Sequence, residues 1–167
     1  LCADFDDKTC EHGFKEDVLT YVAVATEWDV PCYIERSRSG NGSHVWIFFE
    51  NPVLAIKARK LGNALLTEAM LRREKMALNS YDRLFPNQDT LSDGGLGNLV
   101  ALPLQGKARR NHNSMFVDKD FNEIHDQWAY LKDIHRVSIL HLDRLLQQYA
   151  EKTTMGEFSK SSESKPW

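Results

Sequence analysis

The chain has 167 residues, enough for one domain that buries a sizeable core. A net charge of −3 with 42% hydrophobic residues describes a soluble globular protein and excludes a globally basic nucleic-acid binder, though not a local basic stripe. No apolar run approaches the ~20 residues of a membrane span, and the three cysteines, Cys2, Cys10 and Cys32, lack disulfide-scaffold spacing; a cytoplasmic, reducing setting with no membrane partner is expected.

The opening LCADFDD reads as a strand. Domains rarely start in mid-strand, so further sequence is expected upstream of Leu1. Val18, Tyr21, Val22, Ala25 and Trp28 recur at helical spacing, and Asp29-Val30-Pro31 ends that helix because a residue before proline avoids the helical region. CYIERS and HVWIFF then read as strands joined through a glycine turn into a hairpin. Asn51-Pro52 supplies a capping side chain and a first-turn proline, and Leu54, Ala58, Leu61, Leu65 and Ala69 predict the buried face of a helix to about Lys75. SYDRLF, NLVALPL and SMFVD are three short strand-like runs. A last helix is expected from Arg136 to about Ala150. Residues 1–150 form the expected folded core, and the polar 151–167 reads as a flexible linker or tail. Strands mixed with helices in this order predict an α+β domain, helices against a mostly antiparallel sheet.

Three constellations carry candidate chemistry. In ADFDD, strand alternation points Asp4 and Asp6 to one face, roughly 6.5–7 Å apart at Cα, with Ala3 and Phe5 facing the core. Such a pair suits divalent cations about 3.5–4 Å apart, as in phosphoryl transfer, and equally suits a solvated strand end. In ERSRSGNGSHVWIFFE, the glycines open backbone amides to a phosphate, while Arg36 and Arg38 add positive charge. His44 shares a face with Trp46 and Phe48; a plain Asn-Gly hairpin is the other reading. The third constellation is YDRLFPNQD, where Asp82 or the nearby Asp89 offers another carboxylate, followed by the basic run Lys107, Arg109 and Arg110. Gly94-Gly95-x-Gly97 lacks the dinucleotide fingerprint. Cys10 and His12 with Cys2 or Cys32 lack the paired spacing of a zinc site. Trp28, Trp46 and Trp128 are expected in the core.

In order and spacing these constellations resemble the archaeo-eukaryotic primases, the primase-polymerase superfamily. RSRSGNGSHVWIFFENP, YDRLFPNQD and GNLVALPLQGKARRNHNSMFVD look closest to the primase domains of TOTE conflict systems. The resemblance implies an RRM-like sheet with flanking helices and metal-dependent nucleotidyl transfer from nucleoside triphosphates to a template-directed 3′-hydroxyl. It assigns two Mg²⁺ or Mn²⁺ ions to Asp4, Asp6 and Asp82, and makes these acids and His44 catalytic. It gives the nucleotide to Ser39, Gly40, Gly42 and His44, with Arg38 assisting and Lys107 and Arg109 on phosphate or template. Implied partners are a single-stranded DNA or RNA template with its primer, and a helicase and nuclease of a defence or mobile-element system.

Two other classes fit parts of the pattern. Paired acids with a histidine also suit a metal-dependent nuclease. An RRM-like sheet with exposed aromatics suits a non-catalytic single-strand-binding module, although acids on that face would repel a phosphate backbone.

Overall fold

The computed structural model describes residues 1–7, 13–72, 80–90, 94–95 and 97–161. In chain order the elements are β1 (Cys2–Asp6), α1 (Phe14–Glu27), β2 (Tyr33–Arg36), β3 (Gly42–Trp46), α2 (Ala55–Arg72), β4 (Tyr81–Phe85), α3 (Gly106–Arg109), β5 (Met115–Val117), α4 (Gln127–Lys132) and α5 (Ile139–Ser161). The strands form one five-stranded sheet in the order β4-β1-β3-β2-β5, with every neighbouring pair antiparallel. This is the expected α+β sheet with flanking helices.

Strand alternation divides the sheet into two faces. Ala3 and Phe5 of β1, Val45 of β3, Ile34 of β2 and Leu84 of β4 pack with Val18, Tyr21 and Ala25 of α1, Leu61 and Leu65 of α2, and Leu142 of α5. Each of these large side chains contributes roughly 1.5–3 kcal/mol when fully buried. Across the sheet, Cys2, Trp46 and Phe116 form a second cluster with Tyr33, Phe48, Phe85 and Tyr130. Asp4, Asp6 and His44 share that second face, further along the same strands from Cys2 and Trp46.

Several expected boundaries move. The chain after β3 stays extended, because Val137 N donates to Phe48 O and Glu50 N donates to Val137 O; α2 therefore begins at Ala55 instead of Asn51. Leu54, expected on its buried face, is exposed. NLVALPL is not a strand. Pro103 lacks an N–H and Leu104 has φ 66°, so this run leaves the ladder and crosses the second face irregularly. Trp128 is 60% exposed on α4 instead of in the core. The last helix starts at Ile139 and continues beyond Ala150 to Ser161, so the first part of the expected linker is helical; Lys152 Nζ reaches Glu68 of α2 at 2.8 Å. No helix among the described residues is long and apolar enough to cross a membrane.

Gly42 fixes the close approach of β3 to β1, where it pairs with Asp6. A Cβ there would collide with the Phe5 carbonyl oxygen and stand 3.0 Å from Asp6 Oδ1. Gly42→Ala is expected to cost about 1–3 kcal/mol, lowering Tm by ~2–4 °C per kcal/mol. Gly13→Ala, with nothing within 4 Å of its Cβ position, is the control. Thermal unfolding of the two variants checks the expectation, and equal Tm values would contradict it.

Candidate active site

Asp4 and Asp6 reach one face by ordinary alternation along β1. Asp82 arrives there by a different route. On β4, Arg83 pairs with Asp4 and Tyr81 pairs with Phe5, so Asp82 is an extra residue opposite the Asp4–Phe5 step. In an unbroken strand Asp82 would share the helix-facing side of Leu84. The bulge instead keeps both Tyr81 and Leu84 on the helix side and turns Asp82 toward the acids. Carboxylate oxygens of Asp4, Asp6 and Asp82 then lie within 4.8 Å of one another. Asp89 is paired elsewhere, with its Oδ1 2.5 Å from Arg59 Nη1.

Like charges at this distance repel, and half-burial adds to the cost. Burial is the main cause that raises the Asp4 carboxyl above its ordinary value; His44 opposes the rise, Asp6 and Asp82 add to it, and Arg83 opposes it. Arg83 Nε lies 2.6 Å from Asp82 Oδ2 and partly offsets that carboxylate. Oxygen-only donors in a charge-deficient, half-buried cluster fit a hard divalent cation of the Mg²⁺ or Mn²⁺ kind.

His44 Nε2 lies 3.5 Å from Asp4 Oδ1, and its Nδ1 lies 2.9 Å from Glu35 Oε2. Glu35 is 1% exposed and also accepts from Trp46 Nε1 at 2.6 Å and from Ser114 Oγ at 3.1 Å. Burial alone lowers the His44 imidazole. The hydrogen bond and charge of Glu35, with the charges of Asp4 and Asp6, outweigh it and leave the group raised. The role of Glu35 escaped the sequence reading, although the hairpin itself held the signal: a turn centred on Ser39-Gly40-Asn41 sets residue 35 opposite residue 44, as the register shows.

One cleft of about 490 Å³ gathers Asp4, Asp6, Ser37, Arg38, Ser39 and His44 at its polar end and Phe85, Leu99, Val100 and Ala101 at its apolar end. The glycines do not join this cleft. Gly40 and Gly42 line a separate cavity with Asp7, Lys15 and Phe121. Nor does the turn offer an open nest of amides: Gly40 N donates to Ser37 O at 3.1 Å and Asn41 N to Ser39 Oγ at 3.2 Å. Gly40, at φ 84°, serves the turn, and Gly42 serves strand approach. Arg36 is likewise structural, donating to the carbonyls of His112 and Phe121 and pairing with Glu123. Arg38 is exposed, with no carboxylate partner among the described residues. Lys107 and Arg109 sit on α3 and do not line the cleft. Cys10 and His12 lie outside the described residues.

An antiparallel sheet with clustered acids beside a histidine on the neighbouring strand has the make-up of a primase-polymerase core. Residues 1–145 match the family described as TOTE conflict system, Archaeo-Eukaryotic Primase domain, and the chain belongs to that family. No curated protein matches the chain closely enough to count as a relative.

The raised groups set the pH dependence of stability. Folding raises the Asp4 pKa, so its contribution is fully present below the unfolded carboxylate pKa and is lost as pH rises through the folded value. The His44 contribution is present below the ordinary imidazole pKa and is lost as pH rises through its own raised value. At neutral pH without divalent ions, Asp4→Asn is therefore expected to raise Tm. Mn²⁺ at a hundred times its Kd is expected to stabilise the wild-type chain by about 2.7 kcal/mol and the variant by much less. Thermal melts with chelator and with Mn²⁺ check both signs.

Proposed function

We propose that this chain is the catalytic core of a metal-dependent primase-polymerase, adding nucleotides from nucleoside triphosphates to a template-directed 3′-hydroxyl with release of pyrophosphate. The observation that carries this reading is the single cleft in which Asp4, Asp6 and His44 meet Arg38 and Ser39 at one end and an apolar wall at the other. Membership in the primase family supports it. Asp4, Asp6 and Asp82 would hold Mg²⁺ or Mn²⁺, two ions in the full site, which supply a lowered pKa at the attacking hydroxyl and charge neutralisation at the leaving pyrophosphate.

The chain's own residues do the remaining work. Arg38, exposed at the rim and without a carboxylate partner among the described residues, suits the triphosphate, with Ser39 Oγ beside it as a hydrogen-bonding partner. His44 Nε2 stands among the acids, where it can meet a phosphate oxygen. Phe85, Leu99 and Val100 form the wall against which a base and sugar would lie. Lys107 and Arg109, outside the cleft, suit the backbone of a single-stranded DNA or RNA template carrying its primer. A conflict-system setting implies a helicase and a nuclease as further partners. Positioning and charge neutralisation carry such a reaction, so it needs no side-chain nucleophile.

Primer extension with labelled nucleotides and Mn²⁺ or Mg²⁺ tests the reading. The wild-type chain is expected to extend the primer. Asp4→Ala/Asp6→Ala is expected to lose at least about a thousandfold, or roughly 4 kcal/mol of barrier. His44→Ala is expected to weaken nucleotide binding about tenfold, the loss of one charge-assisted contact of ~1.4 kcal/mol. Metal-dependent strand cleavage without extension would replace this reading with a nuclease. Template binding with neither reaction would leave a single-strand-binding module.

A further inference from the structure

We infer that Glu35 is a positioning residue: it holds the His44 ring so that Nε2 is the ring atom presented to the nucleotide's phosphates. The inference rests on the functional reading above and adds a residue that touches neither nucleotide nor metal ligands.

Glu35 lies in the middle of β2, 1% exposed, between Phe116 on β5 and His44 on β3. A carboxylate at such a place is weak support for stability, because well-packed apolar residues at buried ion-pair positions are often neutral or better. Here both oxygens are used. Oε2 accepts from Trp46 Nε1 at 2.6 Å and lies 2.9 Å from His44 Nδ1, while Oε1 accepts from Ser114 Oγ at 3.1 Å. An indole nitrogen can only donate, so Oε2 accepts from Trp46, and a carboxylate has no hydrogen of its own to give; in this proposal His44 Nδ1 therefore carries the hydrogen. A ring flip would exchange Nδ1 for carbon and break this bond. The ring plane and its Nδ1 proton are therefore fixed together, and Nε2 stays at the cleft, 3.5 Å from Asp4 Oδ1.

Ser114 is built into the same arrangement. It adopts φ 55°, a strained conformation for a residue with a Cβ. Its own backbone is tied down, with its N–H on Ser37 O at 3.4 Å and its carbonyl accepting from Leu104 N at 2.7 Å. Those bonds set its hydroxyl against Glu35. Trp46, also fixed by its stacking on Phe48 with centroids 6.1 Å apart, brings the second donor. Two side chains of β3 and one from the residue before β5 thus converge on one carboxylate of β2 whose outward effect is the orientation of one histidine, the arrangement by which a carboxylate sets an imidazole's tautomer.

Ring ¹⁵N NMR of His44, with Mn²⁺-dependent nucleoside triphosphate binding measured by calorimetry, tests this in the wild type, Glu35→Leu, Glu35→Gln, His44→Ala and Glu35→Leu/His44→Ala. The wild-type ring is expected to show a protonated Nδ1; an Nδ1 without its proton overturns the inference with no variant needed. Glu35→Leu is expected to mix the ring's tautomers and weaken triphosphate binding about tenfold. Glu35→Gln, which keeps an acceptor for Trp46 and His44, is expected to restore most of both. With His44 already Ala, Glu35→Leu is expected to weaken binding no further. An equal loss in both backgrounds, or ring signals unmoved by Glu35→Leu, overturns the inference. If the wild-type chain binds no nucleoside triphosphate, the functional reading falls, and the ring signals still decide whether Glu35 holds His44.

Discussion

Three carboxylates whose oxygens come within 4.8 Å of one another must be held together by something other than their own interaction, and the sheet supplies that force. Asp4 and Asp6 cannot move apart without breaking the register of β1 against both β3 and β4, which buries Ala3 and Phe5 on the other side. Asp82 cannot turn away without removing the bulge that lets Tyr81 and Leu84 both face the helices. Hydrophobic burial on one face thus sustains electrostatic repulsion on the other. Burial first, and the neighbouring acids after it, raise the Asp4 carboxyl, and a proton or a divalent cation would relieve both.

The second face is divided between two tasks. Its apolar half, around Trp46, Phe116 and Cys2, is a small core covered in part by α4 through Tyr130. Its polar half is the acidic cleft. Glu35 lies on the boundary and belongs to both, with its carboxylate buried among aromatic neighbours and its effect felt at His44. A polar group in that position is tolerable only because every donor around it is used, since a half-satisfied buried network costs more than an apolar core.

Much of this was legible in the sequence because it follows from period-two alternation. Asp4 with Asp6, His44 with Trp46, the hairpin joining β2 to β3, and the buried faces of α1 and α2 all obey that rule or its helical counterpart. What escaped was set by tertiary pairing. The bulge at Asp82 arises from how β4 meets β1, and only the spacing of Tyr81 and Leu84 hints at it. Arg36 and Arg38 sit on the same motif, yet residues distant in sequence on either side of β5, His112, Phe121 and Glu123, claim the first and leave the second exposed. NLVALPL has a strand's composition but a proline and a left-handed leucine that remove it from the ladder. Trp128, on a helix capped by Asp126, is turned outward by the fold although its composition suggests burial.

The glycine turn admits two readings of one motif. Its glycines suggest amides bared to a phosphate, as in a nest. The structure closes the Gly40 and Asn41 amides onto Ser37 and Ser39 and uses Gly42 to bring β3 against β1. With the Gly40 and Asn41 amides so engaged, the proposed recognition of a triphosphate at this cleft would fall to side chains and to the cations that the acids would hold. Side chains on a hydrogen-bonded hairpin have the advantage of rigidity: Arg38 and Ser39 project from the turn and His44 from the strand that follows it. The glycines thereby serve the site indirectly, by setting the distance between the strand that carries His44 and the strand that carries Asp4 and Asp6.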